Sequence, residues 1–381
     1  MEKSEEAIIS AQADFAINLL SNVVFKQNKP VESTILSPLS LSMGLAIVYA
    51  GADGETKAEF GKLLSGGLKQ EEIHAYFGRQ LNSYTNDKSE KYTLELANKV
   101  FVQNGFKILE EFKNFVNENY EGKFELLNFE ENVEAAKLIN EFVAKTTHYK
   151  INNVVSSDSL NCDIRLLLIN AIYFKGKWLR TFDPESTQKK NFYIAGEKNK
   201  TVDMMTITKY FVYFEDKELQ MLKMYYSSGS KEGAEDIYMV IFLPKERFGL
   251  EKMTKSLSGE KILKLLKSGD STKVHVFIPK FKLEATHDLK NVLIKLGLTS
   301  AFGNANFSKI TTDVSLKIDN VVQKAFIEVN EEGTEAAAVT TYLGYTPTSP
   351  PVEEETFLAD HPFTFMLMKK NEILFCGVFQ G

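Results

Sequence analysis

Ile327-Glu-Val-Asn-Glu-Glu-Gly-Thr-Glu-Ala-Ala-Ala-Val-Thr-Thr341 is an odd stretch for a folded protein. A strand-like run ends at Val329 in an acidic turn with Gly333, and small residues follow: Thr334, Ala336, Ala337, Ala338, Val339 and Thr340. Alanine has the highest helix propensity, so composition alone favours a helix. Read instead as a strand, the side chains alternate between two faces. Thr334, Ala336, Ala338 and Thr340 then make one slim face, while Glu335 turns to the other. A strand that slim could slide between two existing strands without displacing large side chains. A bulky or charged residue on that face would oppose insertion.

Outward from this stretch, hydrophobic periodicity predicts helices over 7–24, 43–50, 56–64, 69–85, 109–119 and 131–148, with Gly51 closing the second. Strands are predicted over 94–102, 165–174, 192–194, 210–214, 221–226, 237–243, 274–283, 314–318, 321–329, 363–368 and 373–379. Helices crowd the first half and strands the second, which indicates an α+β architecture in a single domain spanning 1–381. The one loose segment is 339–355, which carries Gly344, Pro347, Pro350 and Pro351.

Hydrophobic residues make up 44% of the chain, enough for a large core, and 28 Phe and 15 Tyr suggest broad sheet surfaces to cover. The net charge is −6 and no dense basic run stands out, so neither nucleic acid nor a polyanion such as heparin is an expected partner. The Lys-rich patches at 88–91, 189–200 and 261–267 are mixed with acids or turn residues and read as solvated faces. Cys162 and Cys376 sit beside apolar runs and read as two buried or half-buried free thiols. The longest apolar stretch, 166–174, is far short of a membrane span. Met-Glu-Lys-Ser-Glu-Glu at the start lacks the basic and apolar regions of a signal peptide. The expectation is a cytoplasmic protein, or a secreted one whose signal is already gone, and in either case a monomer.

Catalytic signals are missing. His74, His148, His275, His287 and His361 are scattered, with no His-x-x-x-His or Cys-x-x-Cys pair, so no metal or cofactor is expected. There is no Gly-x-Ser-x-Gly elbow, phosphate loop or dinucleotide fingerprint. The expectation is a protein that is not an enzyme.

Seven short motifs then fall in one order. They are Ser37-Pro-Leu-Ser40, Asn170-Ala-Ile-Tyr-Phe-Lys-Gly-Lys-Trp178 with Phe182, Leu243-Pro-Lys245, Ile278-Pro-Lys-Phe281, Gln323-Lys-Ala-Phe326, Asp360-His-Pro-Phe363 and Ile373-Leu-Phe-Cys-Gly377. Together with the opening stretch, which looks like the hinge of a reactive-centre loop, they resemble the inhibitory serpins over nearly the whole chain. The resemblance implies about nine helices and three β-sheets, with a reactive-centre loop at about 331–357 exposed on top. It also implies a mechanism. A protease attacks the loop and forms a covalent acyl-enzyme. The cut loop inserts as a new strand in the central sheet, and the enzyme is dragged along and distorted before it deacylates. The hinge would be Glu331, Glu332, Gly333, Thr334, Glu335, Ala336, Ala337, Ala338, Val339 and Thr340. The sheet-opening region would hold Ser37, Ser40, Asn170, Trp178, Gln323 and Lys324.

Two positions depart from the family pattern. The family usually has His before Lys-Ala-Phe, in a polar cluster with the residues that correspond to Ser40 and Asn170. Gln323 stands there in this chain, and glutamine can both donate and accept. Phe142 replaces a helix Trp, which reads as a packing change. Loop spacing puts the reactive bond at Pro347, Thr348 or Ser349, with Gly344 and Tyr345 as further candidates. No Lys or Arg occurs over 339–358, so the expected target is a papain-like cysteine protease or an elastase- or chymotrypsin-like serine protease, not a trypsin-like one. The alternative is a non-inhibitory serpin with a chaperone, carrier or storage role.

Overall fold

The computed structural model describes residues 2–27, 29–85, 92–195, 198–227, 237–313, 316–332 and 354–381. Among these there are nine α-helices: α1 (Glu2–Val24), α2 (Pro38–Tyr49), α3 (Gly54–Ser65), α4 (Gln70–Thr85), α5 (Glu110–Tyr120), α6 (Asn132–Thr146), α7 (Leu250–Ser256), α8 (Gly259–Ser268) and α9 (Lys290–Lys295). The first seven strands are β1 (Thr34–Leu36), β2 (Tyr92–Gln103), β3 (Phe124–Leu127), β4 (Leu166–Gly176), β5 (Gln188–Ala195), β6 (Lys198–Glu215) and β7 (Leu219–Tyr225). The remainder are β8 (Ile237–Pro244), β9 (Asp270–Pro279), β10 (Phe281–Asp288), β11 (Asn320–Val329), β12 (Glu355–Leu358), β13 (Phe363–Lys369) and β14 (Glu372–Phe379).

Five strands form the central sheet, in the order β10-β11-β4-β2-β3. The other nine form one hydrogen-bonded path, β1-β14-β13-β8-β7-β6-β9-β12, with β5 added on β6. Strand β6 joins two sheets into that path. Its start pairs with β5, its middle with β9 and its end with β7. The α+β architecture with nine helices is therefore present, and the second and third sheets share one long strand.

Local chemistry explains the helix that matters most. Helix α2 starts at Pro38, whose fixed φ suits the first helical turn, and the Ser37 hydroxyl caps it by accepting from the Ser40 N–H. All twelve residues of α2 are buried, as expected for a helix that is apolar all round. It lies under β2, β4 and β14. Helix α1 is long and apolar enough to cross a membrane by length and composition. Here Ala16, Leu19 and Leu20 are fully buried, and the helix packs against β14, α3 and α8 as a core element.

The central sheet is covered on both faces. Leu168, Ile172, Ala325 and Ile327 point into the main core, whereas Leu167, Ile169, Ala171 and Phe326 point into a second cluster beneath α6. The alternation along β4 and β11 is the period of two that places neighbours on opposite faces.

Four expectations need correction. The strand expected over 274–283 is two strands, β9 and β10, in different sheets; Pro279 ends the first, and Lys280 bonds through its N–H to the Asp203 carbonyl. No strand spans 316–318, where the Ile318 N–H donates to the Ala301 carbonyl instead of a ladder partner. Residues 314 and 315 of that expected strand lie outside the described residues. The strand expected over 210–214 is the end of the 18-residue β6. Finally, Cys162 is exposed, because 162–163 form a turn before β4 begins. Cys376 is buried, as expected, and both thiols are free.

Candidate functional site

The seam between β11 and β4 is the centre of the site. The two strands run parallel and pair directly through eight residue pairs, from Asn320↔Leu167 to Ile327↔Phe174. No strand lies between them. The acidic turn follows immediately at the top of β11.

Midway along the seam, one row of polar side chains crosses the sheet. Asn98 on β2 pairs in register with Asn170 on β4, Asn170 with Gln323 on β11, and Gln323 with His287 on β10. Helix α2 meets this row from below. The Ser37 N–H donates to Gln323 Oε1 at 2.8 Å, and Gln323 Nε2 donates to the Ser37 carbonyl at 2.8 Å. Gln323 Nε2 also donates to Asn170 Oδ1, directly across the seam. Asn170 Nδ2 donates to the Ser40 hydroxyl at 2.6 Å, and that hydroxyl donates to Asn98 Oδ1 at 2.7 Å. The Ser37 hydroxyl donates to the Leu374 carbonyl at 2.7 Å. Ser37, Ser40, Asn98, Asn170 and Gln323 are all buried to within 2%. Glutamine thus fits because its amide serves Ser37 with both of its ends and still reaches Asn170.

Asn98 and His287 were missed at the level of sequence. An Asn inside the apolar run of β2 was the available signal for the first. His287 meets the Thr34 hydroxyl at 2.9 Å, and burial lowers its pKa to about 4.

Trp178 and Lys324 do not join this cluster. Lys324 points to the opposite face of the sheet, where its ammonium donates to the Asn152 carbonyl at 2.7 Å and pairs with Glu284 at 2.8 Å. It ties the segment after α6 to the front of the seam. Trp178 lies at the head of the seam. Its indole N–H donates to the Asn330 carbonyl at 2.9 Å, and its backbone N–H to the Glu332 carbonyl at 3.1 Å. The ring stacks on Tyr226 with centroids 4.0 Å apart.

Glu331 is held from three sides. The Phe182 N–H donates to its carbonyl at 2.8 Å, the Thr187 hydroxyl to its carboxylate at 2.9 Å, and the Lys280 ammonium to the other oxygen at 2.8 Å. Burial pushes this carboxyl up, but the Lys280 hydrogen bond, the backbone and Thr187 outweigh it and hold the pKa below the usual carboxylate value. Two buried polar atoms nearby, the Tyr226 hydroxyl and Asn330 Oδ1, have no hydrogen-bond partner among the described residues. Each such orphan costs free energy of desolvation.

Of the expected hinge, Glu331 and Glu332 are at the head of the seam. Gly333, Thr334, Glu335, Ala336, Ala337, Ala338, Val339 and Thr340 lie outside the described residues, as do Gly344, Tyr345, Pro347, Thr348 and Ser349. Phe142, in place of the helix Trp, packs edge-on to Phe101 with the Lys99 ammonium 4.4 Å from its ring centre. Among the described residues no group of three or more His, Cys, Asp or Glu side chains is placed to hold a metal ion.

Comparison with known proteins agrees with this geometry. The family model described as Serpin (serine protease inhibitor) matches residues 10–380. Serpin B6 of Macaca fascicularis is 36% identical over 391 residues, covering 99% of this chain and all of the relative. Leukocyte elastase inhibitor of Bos taurus is 36% identical over 384 residues, covering 98% of each chain. The solved structure of Serpin48, a highly specific serpin of the insect Tenebrio molitor, superposes with a TM-score of 0.84 at 34% identity. It covers 99% of this chain and 98% of its own. An unfilled central seam, a polar row across it and a match along almost the entire length point one way: the chain belongs to the serpin family.

Proposed function

We propose that the chain inhibits proteases as a suicide substrate, trapping them by inserting its cleaved loop between β4 and β11. The observation that carries this reading is the seam itself. Eight direct parallel pairs close it, and the chain leaving β11 continues into a run of small residues from Gly333 to Thr341. A loop folding back from β11 would enter antiparallel to both neighbours. Insertion would exchange one parallel ladder for two antiparallel ones, each slightly more stable per residue. The net gain of a full ladder, with the burial of slim side chains, is the energy that deforms the protease.

In the reaction, the protease nucleophile attacks the loop carbonyl, the peptide C–N bond breaks, and the new amine end leaves with the C-terminal segment. The acyl bond then survives because insertion distorts the enzyme before water can attack. The inhibitor supplies the free energy, and the protease supplies the chemistry.

The target class follows from the loop's own residues. Without Lys or Arg over 339–358, trypsin-like enzymes lack the cation that pairs with their buried acid. Tyr345 and Thr348 suit chymotrypsin- or elastase-like enzymes, whereas papain-like enzymes select the apolar residue that precedes the one at the cut, so Leu343 directs them to Gly344–Tyr345 and Pro347 to Thr348–Ser349. The name of the bovine relative, Leukocyte elastase inhibitor, supports the elastase-like arm.

The test is titration with one papain-like, one elastase-like and one trypsin-like protease, followed by SDS gels and sequencing of the released C-terminal peptide. An SDS-resistant adduct with one of the first two, cut within 342–350, is expected. Clean turnover without adduct by every protease would assign the chain to the non-inhibitory serpins, and tight inhibition of trypsin would overturn the target class.

A further inference from the structure

Strand β12 follows directly on the proposed reactive loop, and it is short. It pairs with β9 through four residues, from Glu355↔Val274 to Leu358↔Phe277, at one end of its sheet. Three further bonds extend the anchorage. The Gln220 amide donates to the Thr356 carbonyl at 3.1 Å, the Ala359 N–H to the Phe277 carbonyl at 2.9 Å, and the Tyr193 N–H to the Asp360 carbonyl at 2.8 Å. So short an edge strand has little ladder of its own, and the side chains just behind it share in holding it.

Those side chains are Asp360 and His361, each only 8% exposed. His361 Nδ1 lies 2.7 Å from Asp360 Oδ1, and His361 Nε2 lies 2.8 Å from the Pro244 carbonyl at the end of β8. A carboxylate and a backbone carbonyl only accept hydrogen bonds, whereas a neutral imidazole carries a single N–H. The neutral ring would therefore turn a lone pair on one of the two oxygens. Only the imidazolium donates to both, with its charge against Asp360. Other charged and titratable groups surround the pair. The Arg247 guanidinium reaches Asp360 Oδ2 at 3.3 Å, and its carbon lies 4.2 Å from the centre of the Tyr193 ring. Lys245, next to Pro244, turns its ammonium to Glu215. On β9, Lys273 pairs with Glu354, and His275 stands opposite Thr356 and meets the Thr206 hydroxyl at 3.1 Å.

We propose that His361, as the imidazolium, is a positioning residue that clamps the root of the reactive loop to the end of β8, and that the clamp opens as pH rises. Losing the Nε2 proton leaves a lone pair facing the Pro244 carbonyl, so that contact turns repulsive while the Nδ1–H stays on Asp360. Strand β12 then keeps its four pairs and loses the tie behind them. Histidine is the side chain suited to make this change near neutral pH. The inference rests on the geometry of the loop root and not on protease trapping.

The experiment follows amide hydrogen exchange of the intact protein over residues 355–361 from about pH 5.5 to about pH 8.5, the range in which histidine changes charge, corrected for the intrinsic rate at each pH. Protection should fall by roughly tenfold across the range, the loss of one hydrogen bond from a charged donor. His361→Gln is neutral at every pH and can still donate to Pro244, so its protection should stay level. Arg247→Gln, at a half-exposed side chain, removes a neighbouring positive charge and should move the step to higher pH. Nitrogen NMR of the imidazole at the acid end should find a proton on both ring nitrogens of His361. A neutral ring there would overturn the proposal. So would level protection in the wild type, or a step that survives in His361→Gln, which would belong to His275. With a protease that is trapped, the ratio of wild-type to His361→Gln association rates should fall across the same range. Only this arm rests on the trapping reading: if no protease is trapped, that reading fails, and the exchange step still decides the clamp.

Discussion

Replacing Gln323 by Leu keeps most of the side-chain volume and removes every side-chain hydrogen bond that Gln323 makes, leaving its backbone ladder in place. The Ser37 carbonyl survives the change, because it also accepts from the Leu41 N–H at 3.1 Å. The Ser37 N–H and Asn170 Oδ1 do not. Gln323 is the partner found for each, and both belong to fully buried residues. Each orphaned group costs about 1–3 kcal/mol, so the substitution should destabilise the intact protein by about 3 kcal/mol. With an unfolding entropy of about 2.1 cal/mol/K per residue, this lowers the melting temperature by about 4 °C. The seam-crossing bond to Asn170 is separable. A cycle of Gln323→Leu, Asn170→Leu and the double variant should show a coupling of about 1 kcal/mol. The assay is urea unfolding of uncleaved protein followed by Trp178 emission. A destabilisation under about 0.5 kcal/mol, or strict additivity, would show that this row does not hold the seam closed.

Other outcomes follow from the same geometry. Thr334→Arg would bring an unpaired charge to the first position to enter the sheet; it should turn the inhibitor into a substrate, cut at the normal rate with active enzyme released, and an unchanged adduct yield would mean that the hinge lies elsewhere. Burial lowers His74 and His287 to pKa values of about 4, against 6.5 for free histidine. Their neutral forms are favoured in the folded state, so the stability they contribute is complete above pH 6.5 and is lost as pH falls toward 4. His287→Asn should flatten that part of the stability–pH curve, and a curve identical to wild type would refute the assignment. Glu331 behaves in the same sense at lower pH: its carboxyl is held low, so the stability from its tie to Lys280 is present at neutral pH and lost in acid below the ordinary carboxylate value. Glu331→Gln should therefore weaken the head of the seam at pH 7 but not at low pH, as read from Trp178 emission in urea.

The parts of the site that could be read in the sequence are those carried by motifs. Ser37, Ser40, Asn170 and Gln323 stood out together, and the structure brings them within hydrogen-bond reach. Asn98 and His287 stayed hidden because only strand register aligns them with Asn170 and Gln323. Register depends on long-range pairing that no local window contains. Helices such as α4 and α6 announced themselves through periodicity, whereas α8 did not. Its Lys residues read as a solvated face, although Ile262, Leu265 and Leu266 recur at helical spacing and Ser258 caps its start. The first half of β6 was overlooked for a related reason. Lys198, Asn199, Lys200 and Thr201 are exposed, so no apolar alternation marks them. The break at Pro279 and Lys280 was hidden by a continuous apolar pattern that reads alike whether one sheet or two is being built.

In the intact chain β4 and β11 pair directly, and trapping requires that this closed seam open to admit a strand. The most direct measurement compares melting before and after one verified cut within 342–351 by a protease that is not trapped. Insertion would add a complete hydrogen-bond ladder and bury Thr334, Ala336, Ala338 and Thr340, so the cleaved protein should melt far above the intact one. A melting curve unchanged by the cut would contradict strand insertion, and trapping with it.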